Sequence, residues 1–420
     1  MFARMSRGER KKDPGIKTML SSLRHRNFRL FWMGQCVSLV GTWMQNMAQS
    51  WLVLELTGSP FLLGLVGALQ FIPLLLFALF TGAVADRLPR RPLLLFTQGM
   101  SMLIAFALGL LTLFHVVQYW HVAVLAFLLG TMNSLDMPAR QAFVIELVGR
   151  EDLMNAIALN SSVFNGARII GPAVAGLVIN TVGIAACFLA NAASFLFVLA
   201  GLLLIRLNEE KVAREEQKNL WEEVREGLVY IRSSPVVFIV LAMVGAMSTL
   251  TFNFNVLVPV FARDVLHWEA QGFGFLMSAT GLGAFAGALT LAYLSNRGPR
   301  ARLLLAAAAG LSVCELLLAL VRYHYPALVL LCFAGFTVSI FSASANTTIQ
   351  INVSDHLRGR VMSVYSLVFI GLAPVGNFLS GTVASFWGAP AGFALGGGLA
   401  LLILLFLGRR LLRHQHAPAS

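Results

Sequence analysis

The feature that most constrains this chain is a series of apolar stretches, each of roughly 20 residues, recurring from Phe31 to Leu407. A helix of that length crosses the ~30 Å of hydrocarbon in a bilayer, and a soluble fold has no use for so much apolar surface. Only 12% of the residues are charged, about half the ~25% of an ordinary soluble domain. Breakers divide the apolar runs into spans near 28–54, 60–84, 93–114, 121–145, 153–179 and 183–206, then 236–261, 270–294, 302–321, 326–350, 357–385 and 388–408. The expected fold is an all-α polytopic membrane protein with twelve transmembrane helices in two six-helix bundles.

A net charge of +12 would point a soluble chain toward nucleic acid, so the placement of the charge matters. Of the 31 Lys and Arg residues, 27 fall in the tails or in alternate loops, whereas the intervening loops hold only Arg263 and Arg322. That asymmetry follows the positive-inside rule. It puts both termini in the cytoplasm, excludes nucleic acid as a partner and predicts a multi-pass protein of the bacterial cytoplasmic membrane. The predicted organisation is a cytoplasmic tail over 1–27, a bundle over 28–206, a cytoplasmic linker over 207–235, a second bundle over 236–408 and a tail over 409–420. The linker stretch Asn208 to Ser233 reads as a surface helix rich in Glu and Lys.

Several function classes find no support. Cys36, Cys187, Cys314 and Cys332 lie inside apolar runs, without the spacing of a metal site or disulfide framework. No short apolar segment with a small-residue cleavage site precedes the first span, so no removable signal peptide is expected. Neither G-x-x-x-x-G-K-[ST] nor H-E-x-x-H occurs, and no soluble domain is evident to hold a cofactor. The reading is not an enzyme, with no cofactor and no metal. Transport energy then comes from an ion gradient or from the substrate's own gradient.

The two halves repeat in sequence. At an offset of 205, Gly130, Ser161, Gly166, Gly171, Gly176 and Gly183 meet Gly335, Ser366, Gly371, Gly376, Gly381 and Gly388. At an offset of 210, Gly64, Arg87, Pro89, Arg90 and Leu93 to Leu95 meet Gly274, Arg297, Pro299, Arg300 and Leu303 to Leu305. Parallel repeats related by an axis along the membrane normal belong to transporters whose halves rock about a central site.

The loop after the second span reads Gly82, Ala83, Val84, Ala85, Asp86, Arg87, Leu88, Pro89, Arg90, Arg91, a G-x-x-x-D-R-x-x-R-R pattern. Topology alone accounts for the arginines but not for Gly82 or Asp86. The segment resembles the loop between helices two and three of the major facilitator superfamily, a resemblance that covers nearly the whole chain. It implies that Gly82, Asp86, Arg87, Arg90 and Arg91 form a conformational motif whose charges hold the halves together on the cytoplasmic side. In the second copy Asn296 stands at the position of Asp86, so a charge lock there is expected to be weaker. In the fifth span, Gly166, Gly171, Pro172 and Gly176 look like the G-x-x-x-x-G-P-x-x-x-G signature of drug-antiporter branches. Close helix packing explains those residues as well as a role in antiport does. The segment from Pro138, Ala139, Arg140 and Gln141 through Asn155, Asn160 and Arg168 to Pro172 resembles the enterobactin-exporter-like branch, which implies efflux of a siderophore or drug-like amphiphile.

Polar residues inside spans mark the helices that face water. Gln35, Thr42, Asn46 and Gln49 share one face of the first span, and Ser339, Ser342, Asn346 and Gln350 share one face of the tenth. Asn133, Asp136 and Arg140 form a stripe on the fourth span, Ser161, Asn165 and Arg168 on the fifth, and Thr249 and Asn253 on the seventh. The third, sixth, eighth and twelfth spans offer little of this. The candidate substrate cavity therefore comprises Gln35, Asn46, Gln49, Asn133, Arg140, Asn165, Arg168, Asn253, Asn346 and Gln350, although any single Asn or Ser is better explained as interhelical glue. Helices one, four, seven and ten line the cavity in the family that the chain resembles. Asp136 and Arg140 stand four apart, either a self-neutralised pair or, with Asp136 as the titrating acid, a proton-coupling site. Glu315, two turns from Arg322, is expected to take a snorkelling or interfacial role. The expected function is proton-driven export of a small amphiphilic molecule by a monomer whose partners are substrate, protons and membrane lipid. Import or facilitated passage of a small or lipid-like solute is the alternative.

Overall fold

The computed structural model describes residues 20–206, 220–294 and 301–415, with the side chains of 78–80, 82–87, 220–224, 414 and 415 outside the description. After a 3-10 turn over Ser21–Arg24 come six long helices: α1 (Arg26–Thr57), α2 (Pro60–Arg87), α3 (Arg90–Leu113), α4 (Tyr119–Val148), α5 (Leu153–Thr181) and α6 (Ile184–Leu204). The amphipathic α7 (Leu220–Ser233) follows. The second half comprises α8 (Pro235–Leu250), α9 (Phe254–Asp264), α10 (Ala270–Leu294), α11 (Ala301–Leu320), α12 (His324–Ile351), α13 (Asp355–Gly371) and α14 (Ala373–Gln415).

Among the described residues ten stretches are apolar and long enough to cross a membrane. That set omits α1, a 32-residue helix whose polar positions dilute its hydropathy, and it treats Asp355–Arg413 as one stretch. Gly388 divides this last stretch: its φ of 79° lies in the left-handed region, and Pro390 follows. Only glycine takes that conformation freely. With α1 counted and the chain reversing at Gly388, twelve crossings result, as the apolar pattern predicts.

Two interruptions were not expected. The seventh span breaks between α8 and α9 over Thr251 to Asn253, and the eleventh is interrupted at Leu372 between α13 and α14. The Leu250 carbonyl, next to the first break, receives none of the backbone hydrogen bonds that close the junction, which run to Met247 and Asn253 instead. Of the linker stretch, Leu220 to Ser233 is helical, and the part before Leu220 lies outside the described residues.

Glycines set how closely the helices approach, and the repeated ones make the same contact in both halves. Gly64 in α2 abuts the Asn377 carbonyl and Gly381 of α14, and its counterpart Gly274 in α10 abuts the Pro172 carbonyl and Gly176 of α5. Every partner here is the repeat mate of its opposite number, at offsets of 205 or 210. Likewise Gly130 lies on the Gln70 carbonyl and Gly335 on the Thr280 carbonyl. A Cβ at any of these positions would collide with backbone, so the small-residue pattern is a packing code for backbone contact. The α2–α14 and α5–α10 contacts join the two halves and form a pseudo-twofold pair of interfaces.

Candidate functional site: a polar cleft between the halves

Contacts between the halves cluster on the side away from the basic loops. There Phe61 meets Phe378 edge-on with ring centroids 5.6 Å apart, and Trp51 stacks on Phe273 at 6.0 Å. Arg263, at the end of α9, donates to the carbonyls of Leu54 (3.0 Å) and Gly58 (3.3 Å) at the end of α1. The Leu54 carbonyl already accepts the Gly58 N–H at 2.8 Å, so Arg263 adds a second donor there, at a helix C-terminus where the macrodipole favours a cation. Asp264 orients the guanidinium through a 2.6 Å bond to its Nε. Glycine contacts, ring pairs and this arginine close one side of the molecule.

Inside that closure lie two adjoining recesses that share Asn255. One is lined by Asn46, Gln49 and Ser50 of α1, Gln70 of α2, Asn255 of α9 and Asn377 of α14. The other is lined by Trp43 of α1, Arg168 of α5, Phe252, Phe254, Asn255, and Met277 and Thr280 of α10. Gln49 Nε2 reaches Gln70 Oε1 at 3.4 Å. Arg168 lies with its guanidinium carbon 5.8 Å from the centroid of the Trp43 ring. Its backbone is fixed from the other half: Gly281 packs on the Arg168 carbonyl, and Ser278 Oγ donates to the Ile169 carbonyl at 2.7 Å.

The sequence-predicted residues divide into groups. Asn46, Gln49 and Arg168 line the recesses. Asn253 is buried at the helix break, bonded to the Thr249 carbonyl at 2.7 Å and seated against Gly376, while its neighbour Asn255 faces the cleft. Asn346 pairs with Gln350 on α12 at 2.6 Å, and Asn165 donates to the Ser161 carbonyl on its own helix. Gln35 is buried in α1, and Asn133 is exposed on α4.

Asp136 has a complete set of partners. One carboxylate oxygen accepts from Thr97 at 2.8 Å and Gln98 at 2.7 Å, and the other accepts from Arg140 Nε at 2.8 Å and an Arg140 terminal nitrogen at 2.6 Å. The Arg140 guanidinium also lies over the Phe31 ring, 5.8 Å from its centroid. Sequence reasoning missed Thr97 and Gln98 because the third span carries no obvious polar stripe. It missed Gln70 and Asn377 because each stands alone in an apolar run, and Asn255 because, two residues beyond Asn253, it falls off the Thr249–Asn253 stripe of a continuous helix. Gln45 and Asn191 form a further buried pair at 2.6 Å between α1 and α6.

Of the conformational motif, Gly82, Asp86 and Arg87 fall at the end of α2, where side chains lie outside the described residues. Arg90 forms an ion pair with Glu146 at the foot of α4, and Arg91 donates to the Leu202 and Leu203 carbonyls of α6 at 2.7 and 3.0 Å. All three contacts lie within the first half. Gly166 has open space about its Cα, Gly171 meets Trp43 of α1, and Gly176 meets α10, while Pro172 lends its carbonyl to Gly274.

One expectation is overturned outright. Glu315 does not snorkel: it is 0% exposed, both carboxyl oxygens lack a hydrogen-bond partner, and Gly396 and Gly397 of α14 press against it. Arg322 instead donates to the Ala319 and Val321 carbonyls.

Two pseudo-symmetric helical bundles around a polar cleft, closed on one side by glycine-backed interfaces, define a membrane transporter of the major facilitator type. Solved structures agree on the fold. The chain superposes on the nucleoside transporter NupG with a TM-score of 0.74 at 13% identity, covering 91% of this chain and 98% of that one. A bacterial homologue of the human lysosomal transporter Spinster gives 0.74 at 12% identity, covering 94% and 99%.

Residues 17–418 match the transmembrane secretion effector family, and the chain belongs to that family. Relatives include the multidrug efflux pump Tap of Mycolicibacterium fortuitum, 30% identical over 87% of this chain and 90% of that one. The staphyloferrin A transporter of Staphylococcus aureus is 25% identical over 91% and 96%, and the enterobactin exporter EntS of Shigella boydii is 27% identical over 90% of each chain.

Proposed function

We propose that this protein exports a small amphiphilic molecule, a siderophore, drug or similar compound, across the bacterial cytoplasmic membrane without altering it covalently. Both termini are cytoplasmic in this reading, the working unit is a monomer in contact with lipid, and the proton gradient supplies the energy. The observation that carries it is the cleft: polar groups of both halves meet at mid-membrane, while paired glycine interfaces and Arg263 seal the side away from the basic loops. With the basic loops in the cytoplasm, that arrangement loads from the cytoplasm. The names of the relatives in Mycolicibacterium fortuitum and Shigella boydii support export.

Asp136 is the proposed coupling acid. Its four hydrogen bonds stabilise the anion in this conformation. Arg140 rides on the same helix as Asp136, so a shift of α4 against α3 withdraws the Thr97 and Gln98 donors and leaves the carboxyl with Arg140 alone, the step at which coupling to the proton is proposed. Asp86 and Arg87, with Arg90 and Arg91, are proposed to fasten the basic-loop side in the opposite conformation. The test is accumulation of a fluorescent amphiphile by energised everted vesicles. Export predicts accumulation that an uncoupler abolishes; equal, uncoupler-insensitive equilibration from either side supports the facilitator reading instead.

A further inference from the structure

We infer that Arg168 is an anion-binding residue of the substrate site, so that the transported molecule is an amphiphile carrying a carboxylate, catecholate or comparable anionic group beside an aromatic or apolar body. This rests on the export reading for its physiological meaning, but the site chemistry stands on its own geometry. Toward the middle of the spans the described charged groups are Asp136, Arg140, Arg168 and Glu315. Asp136 and Arg140 neutralise each other. Glu315 lies sealed in the core of the second half, away from the recess that Arg168 lines.

Arg168 is what remains: a cation that makes no ion pair and no hydrogen bond among the described residues and lies over the face of Trp43. A charge at mid-membrane costs roughly 2.5 to 3.5 kcal/mol even on insertion scales and calls for a partner. Here the backbone is tied down against α10, by Gly281 and by Ser278, while the guanidinium fork stays free to receive a bidentate anion. Around it Trp43, Phe252, Phe254 and Met277 offer apolar and aromatic surface, and Thr280 and Asn255 add polar groups. No carboxylate lines either recess, so a cationic drug finds no counter-charge there.

The test uses the full chain in phosphatidylcholine nanodiscs and three probes with one apolar body: pyrenebutyrate, its methyl ester and pyrenebutylamine. The wild type is expected to bind the acid at least about tenfold more tightly than the ester, the yield of one charge-assisted contact, and the amine more weakly than the ester. Arg168→Gln removes the difference between acid and ester while keeping ester affinity, and Arg168→Lys keeps part of it. Adding phosphatidylglycerol identifies the source of the natural anion: competition with pyrenebutyrate indicates a lipid headgroup, and its absence a free solute. Wild-type protein that binds the acid no more tightly than the ester overturns the inference. So does an Arg168→Gln variant that retains the preference or loses both probes equally. Everted vesicles separate this from the export reading. Uptake of ester or amine in preference to acid leaves export standing without the anion site, and anion-selective binding with no energised uptake does the reverse.

Discussion

Asp136 and Glu315 are both carboxyls within apolar spans, and their surroundings give them opposite chemistry. Asp136, 7% exposed, is held by Thr97, Gln98 and Arg140, a donor set suited to an anion. Glu315 has no donor for either oxygen, surroundings unsuited to an anion because an unpaired buried carboxylate costs several kcal/mol. Two predictions follow from this contrast. Asp136→Asn should bind and exchange substrate down a gradient yet lose accumulation against one in everted vesicles; retained pH-driven accumulation would reduce the pair to a structural role. Glu315→Gln, neutral and of the same shape, should keep transport and stay within about 1.5 kcal/mol of wild-type stability. A Glu315→Gln protein that fails to fold or to transport would show that the charged form is required.

Among the elements, the interfaces on the closed side make their own predictions. Ala at Gly64 or Gly274 forces a Cβ into backbone of the opposite half, an overpacking cost of about 1–3 kcal/mol, and the repeat symmetry demands similar losses at both. Ala at Gly99, where nothing lies within 4 Å, should be neutral or slightly stabilising through helix propensity. Thermal unfolding in detergent reads all three, and unequal costs at 64 and 274 would break the symmetry argument. Arg263→Gln removes the cation from the end of α1 and should raise the population open on that side by roughly tenfold. Thiol labelling of a cysteine placed at Thr57 reports it, and unchanged labelling denies the latch. Span positions were legible because each helix must be apolar for its full length, and the glycine repeat was legible because both halves meet the same backbone constraint. The break at Thr251 to Asn253 was not, since neither Gly nor Pro marks it and Asn253 holds it by a tertiary fit against Gly376. The partners of Asp136 and the isolation of Glu315 were equally hidden, because both depend on which helices become neighbours, and a single sequence does not state that. At the basic face, the Ser21 hydroxyl and then the His25 ring hold the Asp152 carboxyl below the usual carboxylate range. That pin on the N-terminal turn is complete above the ordinary carboxylate value and is lost only as pH falls through the lowered one.

As a whole molecule the protein consists of two bundles that touch chiefly through two equivalent interfaces, α2 on α14 and α5 on α10, with the polar cleft between them. Such a body has a natural motion: the halves, related by an axis along the membrane normal, rock against each other about the central cleft, parting the closed side and joining the other. Transport then requires the Phe61–Phe378 contact to separate in every cycle. The most direct measurement replaces the four native cysteines, places cysteines at 61 and 378, and bridges them with a short bis-methanethiosulfonate linker. The account predicts that cross-linked protein in energised vesicles loses transport and recovers it when the linker is reduced; full transport by completely cross-linked protein would contradict it.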